Sequence, residues 1–275
     1  FLHYQILNTT SFATSYKTVK LSAESGNVQL TLSPDRETHH HTTLGNIYFY
    51  LDREGTNNAT WMLNKRNSTL FTNHTSVSIS SFPHYITTHN QNIVVVHANG
   101  DVIAYNDALA QAWLLQTSGT NNNFIVRNND QLYVSSRNNK ITEVDLITGE
   151  SIFIADTDYE RAIPLGGDTN GLYWLDANDN GFSVKKASRN GTSGWSTTID
   201  SNLTPENAFS MKGVALPDHL LVVVAYENSD DTSTTDVYLI QKNNGNEIWK
   251  KSSGSMNYLI NNLLVKTANN YYYSN

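Results

Sequence analysis

Apolar and polar residues alternate along this chain in short stretches, and each stretch ends at a cluster of Gly, Asn, Asp or Ser. The stretch EVDLITGESIF (143–153) shows the unit clearly, because its alternation runs into Thr148 and Gly149, and Phe153 follows four residues after the glycine. Strict alternation is typical of strands with one buried face, and glycine supplies the positive φ of a tight hairpin. No sustained spacing of three and four residues indicates a helix. The pattern therefore predicts an all-β protein.

The hairpin unit repeats along the chain. Two further copies place an aromatic residue four positions after a glycine, and three weaker copies keep the spacing: Gly191 with Trp195, Gly245 with Trp249, Gly26 with Leu30, Asn67 with Phe71 and Leu109 with Trp113. The turns at 26, 67, 109, 149, 191 and 245 are 41, 42, 40, 42 and 54 residues apart, and the long interval contains an insertion at 227–235. We expect the aromatic residue to wedge between neighbouring sheets.

A shorter, more apolar strand precedes most of these turns. Such strands begin at Ile47, Ile93, Leu132, Leu172, Leu220 and Tyr271. The strand at Tyr271 has no turn after it, and the turn at Gly26 has no such strand before it, so the two complete each other if the chain closes into a ring. A ring needs no capping repeats, whereas a linear solenoid does.

These observations predict a six-bladed β-propeller of four-stranded antiparallel blades. Residues 1–275 form a single propeller domain in this interpretation, and residues 1–14 are an N-terminal extension of it. The N- and C-terminal strands share one blade, in which residues from about Tyr16 to Leu32 pair with residues from about Leu259 to Tyr273.

Two segments resemble known propeller repeats. VDLITGESIF resembles the repeat of quinoprotein-like (PQQ-like) propellers, in which an Asp-x-x-Thr-Gly turn precedes a docking Trp: Asp145, Thr148 and Gly149 match, and Phe153 stands in place of the Trp. The segment 171–195 looks like a YWTD-type repeat, with Leu175 at the Thr position. The resemblance implies an assembly scaffold or a binding module. It does not imply quinone chemistry, because quinoprotein dehydrogenases are usually eight-bladed and about twice this length.

Composition and charge narrow the function further. A net charge of −7 argues against binding to a phosphate backbone, and no apolar run approaches the roughly 20 residues of a membrane-spanning helix. Zero cysteines exclude disulfides, thiolate nucleophiles and cysteine-ligated zinc. The sequence begins at Phe1 without a leader, which suits a processed chain, so we expect a secreted or periplasmic protein.

Two motifs suggest metal ions. DANDNG (176–181) matches the first half of a calcium loop, with Asp176, Asn178 and Asn180 as ligands, although Ala187 stands where a bidentate Glu would close the loop. The alternative is a turn stabilised by its Asp and Asn side chains. The run His39–His41 could bind zinc or nickel, or could simply belong to an innermost strand or a loop. Apart from calcium, we expect no cofactor.

Acidic residues gather in the loops that follow second and fourth strands, which emerge on one face of a propeller. The predicted binding face contains Asp52, Glu54, Asp156, Asp158, Glu227, Asp230 and Asp231, whereas Lys65, Arg66, Lys186, Arg189 and Lys242 belong to the opposite hairpins. Such a face favours a divalent cation or a basic partner, unless the acids only keep the surface soluble. We therefore expect a monomeric, non-catalytic binding or scaffold propeller for a protein or glycan. The alternative is a hydrolase or lyase that uses carboxylates at the central funnel.

Overall fold

The computed structural model describes most of the chain. The described residues are 2–7, 14–21, 25, 27–32, 39–54, 60–67, 74–118, 120–158, 162–178, 181–189, 194–200, 208–228, 232–253, 264–266 and 271–273. Every regular element within these ranges is a β-strand, so the predicted all-β class is confirmed. None of these residues belongs to a helix long and apolar enough to cross a membrane. The chain divides into two compact units, Phe1–Asp156 and Thr157–Asn275.

The first unit contains one three-stranded and three four-stranded antiparallel sheets, each in sequential strand order. The three-stranded sheet consists of β1 (Leu2–Leu7), β2 (Thr14–Leu21) and β3 (Val28–Leu32). The four-stranded sheets consist of β4 (His39–Leu44), β5 (Ile47–Glu54), β6 (Thr60–Asn67) and β7 (Thr75–Ile79); β8 (Pro83–His89), β9 (Asn92–His97), β10 (Asp101–Tyr105) and β11 (Gln111–Gln116); and β12 (Thr120–Asn128), β13 (Gln131–Ser136), β14 (Lys140–Asp145) and β15 (Ser151–Asp156).

The second unit contains two four-stranded sheets and one two-stranded sheet, all antiparallel. The four-stranded sheets consist of β16 (Ile163–Asp168), β17 (Gly171–Asn178), β18 (Gly181–Ser188) and β19 (Trp195–Asp200), and of β20 (Ala208–Ala215), β21 (His219–Glu227), β22 (Ser233–Gln241) and β23 (Glu247–Ser253). The two-stranded sheet pairs β24 (Leu264–Lys266) with β25 (Tyr271–Tyr273).

Five of the six apolar strands identified in the sequence are the second strands of the four-stranded sheets, and they are buried on both faces. The sixth, at Tyr271, is β25 of the two-stranded sheet. In β9, Ile93 and Val95 pack with β4–β7, whereas Val94 and Val96 pack with β12–β15. Successive residues of a strand point to opposite faces, so a continuous apolar run can serve the cores on both sides. Strands of this composition therefore form where a sheet lies between two others.

The hairpins between third and fourth strands have the predicted geometry wherever they are described. Leu109, Gly149 and Gly245 all have positive φ, of +60°, +77° and +76°. The predicted turns at Gly26 and Gly191 lie outside the described residues. Leucine rarely adopts positive φ, and at Leu109 the turn is held by Asn106, whose side-chain oxygen accepts the N–H groups of Ala108 and Ala110, both at 3.0 Å.

Five four-stranded antiparallel sheets confirm the repeat rhythm, but a sixth blade is not confirmed. β1–β3 form one sheet and β24–β25 form another, so within the described residues the predicted shared blade is not formed. Ring closure and the single propeller domain therefore remain predictions. The segment expected to be an N-terminal extension contains β1, which pairs with β2 from Leu2↔Val19 to Leu7↔Thr14.

Candidate functional site

The turn Gln241–Gly245 has the same backbone as the turn Asp145–Gly149. In each, the glycine N–H donates to the carbonyl of the first turn residue at 2.8 Å, and the glycine has a φ near +77°. The two hairpins can therefore be compared position by position. This comparison places Lys242 at the position that Leu146 occupies in the earlier sheet.

Lys242 is a charged residue at a position where the hairpin 145–149 buries an apolar one. Leu146 is completely buried in the core between β8–β11 and β12–β15, and its N–H donates to Asp130 O at 2.8 Å. Lys242 is also buried, and its N–H donates to Asp218 O at 3.0 Å. A buried charge at a position where a hairpin of the same backbone buries leucine marks a candidate functional site.

The Lys242 ammonium group is fully engaged inside the second unit. Nζ lies 2.5 Å from Asp168 Oδ2 and donates to the carbonyl oxygens of Leu216 and Pro217 at 3.0 and 3.4 Å. It also lies 4.8 Å from the ring centroid of Tyr173, within cation–π range. The buried charge is thus compensated by a carboxylate, by two carbonyl dipoles and by an aromatic face.

Asp168 is held as a carboxylate by the hairpin that it begins. Burial by itself raises the pKa of Asp168, but hydrogen bonds from Lys242 and from the N–H of Asn170, together with the Lys242 charge, outweigh burial and lower that pKa below 3.8. The N–H groups of Asn170 and Gly171 lie 2.8 and 3.2 Å from Oδ1. Burial, then the Asp168 charge, raises the pKa of the Tyr173 hydroxyl. Near neutral pH, Asp168 stays ionised and Tyr173 stays protonated.

These residues form the floor of a polar cleft of about 480 Å³ between the sheets β16–β19 and β20–β23. The cleft is lined by Asp168, Asn170, Tyr173, Lys186, Pro217, Asp218, His219, Gln241, Lys242 and Asn243. Eight of these ten residues come from three hairpins, 168–171, 216–219 and 241–245, whereas Tyr173 lies on β17 and Lys186 on β18. All three hairpins join first to second or third to fourth strands, so the cleft belongs to the hairpins opposite the predicted acidic loops.

Lys186 is the cleft cation without a carboxylate partner among the described residues. It lies opposite both Tyr173 and Trp195 in the sheet register, and its Nζ is 5.8 Å from the Tyr173 ring centroid. Trp195 Nε1 donates to Lys242 O at 3.1 Å, and its ring lies 6.2 Å from that of Tyr173. The contacts of Trp195 with Lys242 O and with Tyr173 hold the residues at the base of the cleft in place. The Lys186 ammonium group remains available to a ligand.

The predicted calcium ligands are not assembled by the described residues. Asp176 is completely buried, and Lys185 Nζ lies 2.9 Å from its Oδ2. Asn178 ends β17 and Asn180 follows it, but the side chain of Asn178 and the whole of Asn180 lie outside the described residues. No group of three His, Asp or Glu side chains suited to a metal occurs in the described part of the chain. Calcium remains a prediction.

The predicted acidic face is only partly described, and two of its aspartates form ion pairs. Asp156 lies 2.6 Å from Lys140 Nζ, and Asp158 pairs with Lys185, which also holds the buried Asp176. Asp52 accepts a hydrogen bond from Asn64 at 2.6 Å. Glu227 is exposed at the end of β21. The side chain of Glu54, and all of Asp230 and Asp231, lie outside the described residues.

A further carboxylate is held in the same way. Asp236 is completely buried, lies 2.7 Å from Lys250 Nζ and accepts hydrogen bonds from the hydroxyls of Tyr226 and Tyr238, both at 3.2 Å. Burial alone lowers the pKa of Lys250, but hydrogen bonds to Asp236 and Tyr238 outweigh it and raise that pKa. The carboxylates of Asp168, Asp176 and Asp236 are thus neutralised by lysines of the same unit.

The histidine run His39–His41 begins β4, so the strand interpretation is confirmed. Three histidines that were not predicted, His84, His89 and His97, lie buried elsewhere in the first unit. His84 is the second residue of β8, and its ring centroid lies 5.3 Å from that of Phe82. Burial, then the charges of Arg137, His40 and His97, lowers the pKa of His84 to about 4. Burial also lowers the pKa of His97. Both imidazoles are therefore neutral at neutral pH.

Sequence reasoning missed the Asp168–Lys242 pair, although the chain carries a signal for it. Aligning DLITG (145–149) with QKNNG (241–245) on their glycines places lysine opposite a leucine of the repeat. Asp168 could not be assigned as its partner in this way, because the two residues are 74 positions apart and meet only when adjacent sheets pack.

Comparison with known proteins supports the fold and gives no closer relationship. No protein-family model matches the chain, and no curated protein sequence matches it. Many solved structures are similar, and they include two β-propellers, BamB, which is PQQ-like, and a chain of the mitotic checkpoint complex. BamB from Moraxella catarrhalis has a TM-score of 0.55 and 11% identity, over 84% of this chain and 69% of BamB.

Two further similar structures are equally distant in sequence. The computationally designed protein Ika8 has a TM-score of 0.56 and 10% identity, over 86% of this chain and 68% of Ika8. A chain of the mitotic checkpoint complex has a TM-score of 0.50 and 11% identity, over 77% of this chain and 62% of that one. These similarities establish a propeller-like arrangement of sheets, and they do not extend to the YWTD-type resemblance.

Proposed function

We propose that this protein is a non-catalytic propeller that binds a protein partner in the cleft formed by the hairpins 168–171, 216–219 and 241–245. The observation that carries the proposal is the buried Lys242 at the position of Leu146. Lys242 forms an ion pair at a position where the hairpin 145–149 packs a leucine into the core. A polar cleft therefore lies where that hairpin has apolar packing. An apolar residue would serve stability there at least as well, so the charge is better explained by recognition.

The protonation states of the cleft favour binding over catalysis. A general acid or base works best when its pKa lies near the operating pH. The pKa of Asp168 is lowered, that of Tyr173 is raised, and the protons of Lys242 are all engaged. Asp176 and Asp236 are likewise held by lysines. A carboxylate-based hydrolase would need acids that can exchange protons, which these pairs do not provide.

The unengaged groups at the cleft mouth suit a partner of mixed charge. Lys186 offers a cation, the exposed Asp218 offers a carboxylate, and Asn170, Gln241 and Asn243 offer amides. A protein surface can place an acidic side chain against Lys186 and a donor against Asp218. Sugars are usually held on an open aromatic face, and the ring of Tyr173 is buried under two lysines. A protein partner therefore fits better than a glycan.

One similar structure is a chain of a multi-protein complex, which agrees with a binding role for this fold. A secreted or periplasmic location, a monomeric state, a calcium ion at Asp176 and a second contact through the acidic loops remain predictions from the sequence. None of them is needed for binding at the cleft.

The test uses charge reversals in the cleft. The parent chain, Lys186→Glu, Asp218→Lys and the control Lys140→Gln are immobilised and exposed to the extracytoplasmic fraction of the source cells and to a glycan array. We expect a protein captured by the parent and by Lys140→Gln, with at least tenfold weaker capture by each cleft variant. Lys140 suits the control because its ion pair with Asp156 is exposed and belongs to the first unit.

The proposal is wrong if cleft and control variants capture the same proteins equally. Selective loss of array binding in the cleft variants, without loss of a protein, would identify a glycan ligand instead.

A further inference from the structure

The turn Asp145–Gly149 of the first unit is closed by the side chain of its first residue. Asp145 Oδ1 accepts the N–H groups of Ile147 and Thr148 at 2.7 and 3.2 Å. Successive backbone N–H groups in a turn form a concavity that binds anions, and their hydrogen bonds to a carboxylate are stronger than those to a neutral acceptor. Asp145 therefore supplies from within the chain the anionic acceptor that suits this turn.

The equivalent turn Gln241–Gly245 lacks this acceptor. Gln241 stands at the position of Asp145, and its side chain makes no hydrogen bond with the described residues. The N–H groups of Asn243 and Asn244, at the third and fourth turn positions, likewise have no acceptor in the described part of the chain. Both residues are exposed, so an acceptor from another molecule can reach them.

The remainder of the turn matches, so the difference is confined to the missing acceptor. Thr148 Oγ1 accepts the N–H of Glu150 at 3.3 Å, and Asn244 Oδ1 accepts the N–H of Asn246 at 3.0 Å. The two turns, each with the residue after it, also share one order of buried and exposed positions. The hairpin that begins at Asn106 has its own side-chain acceptor as well. Among the third-to-fourth hairpins that the structure describes in full, the turn of the second unit alone lacks one.

The turn borders the cleft at the same place as Lys186. Gln241 and Asn243 line the cleft together with Lys186, whose ammonium group has no carboxylate partner among the described residues. The glycine at position 171 lets the Lys186 side chain lie across the neighbouring hairpin, because a Cβ at Gly171 would be 2.9 Å from Lys186 Cε. Two backbone N–H groups and one ammonium group are the donors that a carboxylate prefers.

We infer that the turn 241–245 binds an aspartate side chain of the protein partner. Its carboxylate would accept the N–H groups of Asn243 and Asn244, as Asp145 does in the first unit, and would form an ion pair with Lys186. The inference rests on the proposed binding role of the cleft, and it adds the type of residue that the partner contributes.

The probe is N-acetyl-aspartate N-methylamide, and N-acetyl-asparagine N-methylamide is its neutral control. Two-dimensional NMR of the isotope-labelled full chain follows the amide signals of Asn243 and Asn244 during titration. We expect saturable downfield shifts of both signals with the aspartate probe, and at least about fivefold weaker binding of the asparagine probe. The signals of Ile147 and Thr148 should not respond, because Asp145 already accepts their protons.

Four variants test the geometry of the site. Gln241→Asp copies Asp145 and should close the turn from within, so the probe should no longer shift the two amide signals. Gln241→Glu adds the same charge at the length of glutamine, so it should weaken binding less than Gln241→Asp. Lys186→Gln should weaken binding at least about threefold, since it removes the ion pair. Lys140→Gln, in the first unit, should leave binding unchanged.

The inference is overturned if the probe leaves the Asn243 and Asn244 signals in place, if both probes bind equally, or if Gln241→Asp binds like the parent. Inorganic phosphate that binds at least about tenfold more tightly than the aspartate probe would also overturn it, because the site would then suit phosphate rather than a carboxylate. Protein capture separates this inference from the proposed function. A protein that Lys186→Glu loses and Gln241→Asp still captures would show that the cleft binds its partner without an aspartate at this turn.

Discussion

The indole of Trp195 packs on the backbone of Gly245, which lies in the next sheet. A Cβ atom at position 245 would be 2.5 Å from indole Cε3, and the φ of the glycine is +76°. Trp113 and Gly149 form the same contact in the first unit. In both cases, a tryptophan near the start of a fourth strand packs on the turn glycine of the following sheet. These contacts explain the spacing of aromatic residues and glycines in the sequence.

Alanine at Gly245 should destabilise the protein more than alanine at Gly45. Both glycines have positive φ, +76° and +56°, but a Cβ at Gly45 would meet nothing within 4 Å. Gly45→Ala therefore measures backbone strain alone, about 1 kcal/mol. Gly245→Ala adds displacement of the Trp195 ring, for a total of about 3 kcal/mol. Urea unfolding of the two variants measures the difference, and equal losses would show that the indole moves aside without cost.

Phenylalanine should be tolerated better at Trp113 than at Trp195. Trp195 Nε1 donates to Lys242 O at 3.1 Å, whereas the buried Nε1 of Trp113 has no hydrogen-bond partner among the described residues. Trp195→Phe loses a hydrogen bond of about 1 kcal/mol, while Trp113→Phe removes an unsatisfied donor whose burial costs about 1–3 kcal/mol. Thermal melts should show a clearly smaller loss for Trp113→Phe. A larger loss for that variant would mean that its indole N–H is hydrogen-bonded in solution.

The strands of the repeat, and those of its hairpins that the structure describes, could be predicted from the sequence because they depend on local rules. Alternation fixed β14 and β15, and the glycine requirement fixed Gly149 and Gly245. The cleft was not predictable in the same way, because Asp168 and Lys242 come from hairpins of different sheets. The exposure of Trp249, 37%, also departs from the expected wedge between sheets. Its environment depends on packing beyond its own sheet, and no local pattern encodes that packing.

Replacing Lys242 with an apolar residue should separate stability from recognition. Lys242→Met leaves the partly buried Asp168 carboxylate without its partner, so we expect a loss of about 2 kcal/mol. The double variant Asp168→Asn with Lys242→Leu copies Leu146 and removes both charges, so it should recover most of that loss. Chemical denaturation measures both values, and partner capture should remain impaired in the double variant. If the double variant is less stable than Lys242→Met, the ion pair is a structural requirement.

Mild acid should destabilise the first unit through His84. Its pKa falls from 6.5 in the unfolded chain to about 4 in the folded protein, so the unfolded chain binds a proton first as the pH falls. The stability due to the neutral imidazole is complete above pH 6.5 and decreases from pH 6.5 towards pH 4. Melting temperatures of the parent and His84→Gln across this range should converge at low pH. Parallel pH profiles would show that His84 titrates normally.

The contacts of Trp113 with Gly149 and of Trp195 with Gly245 also affect the protein while it is being synthesised. Each tryptophan is synthesised before the turn glycine on which it packs. The two residues are 36 positions apart in the first unit and 50 in the second. At translation rates of about 5–20 residues per second, each indole stays uncovered on the order of seconds. A nascent chain paused between β11 and β14 would therefore present Trp113 to chaperones, and synthesis of Gly149 would end that exposure.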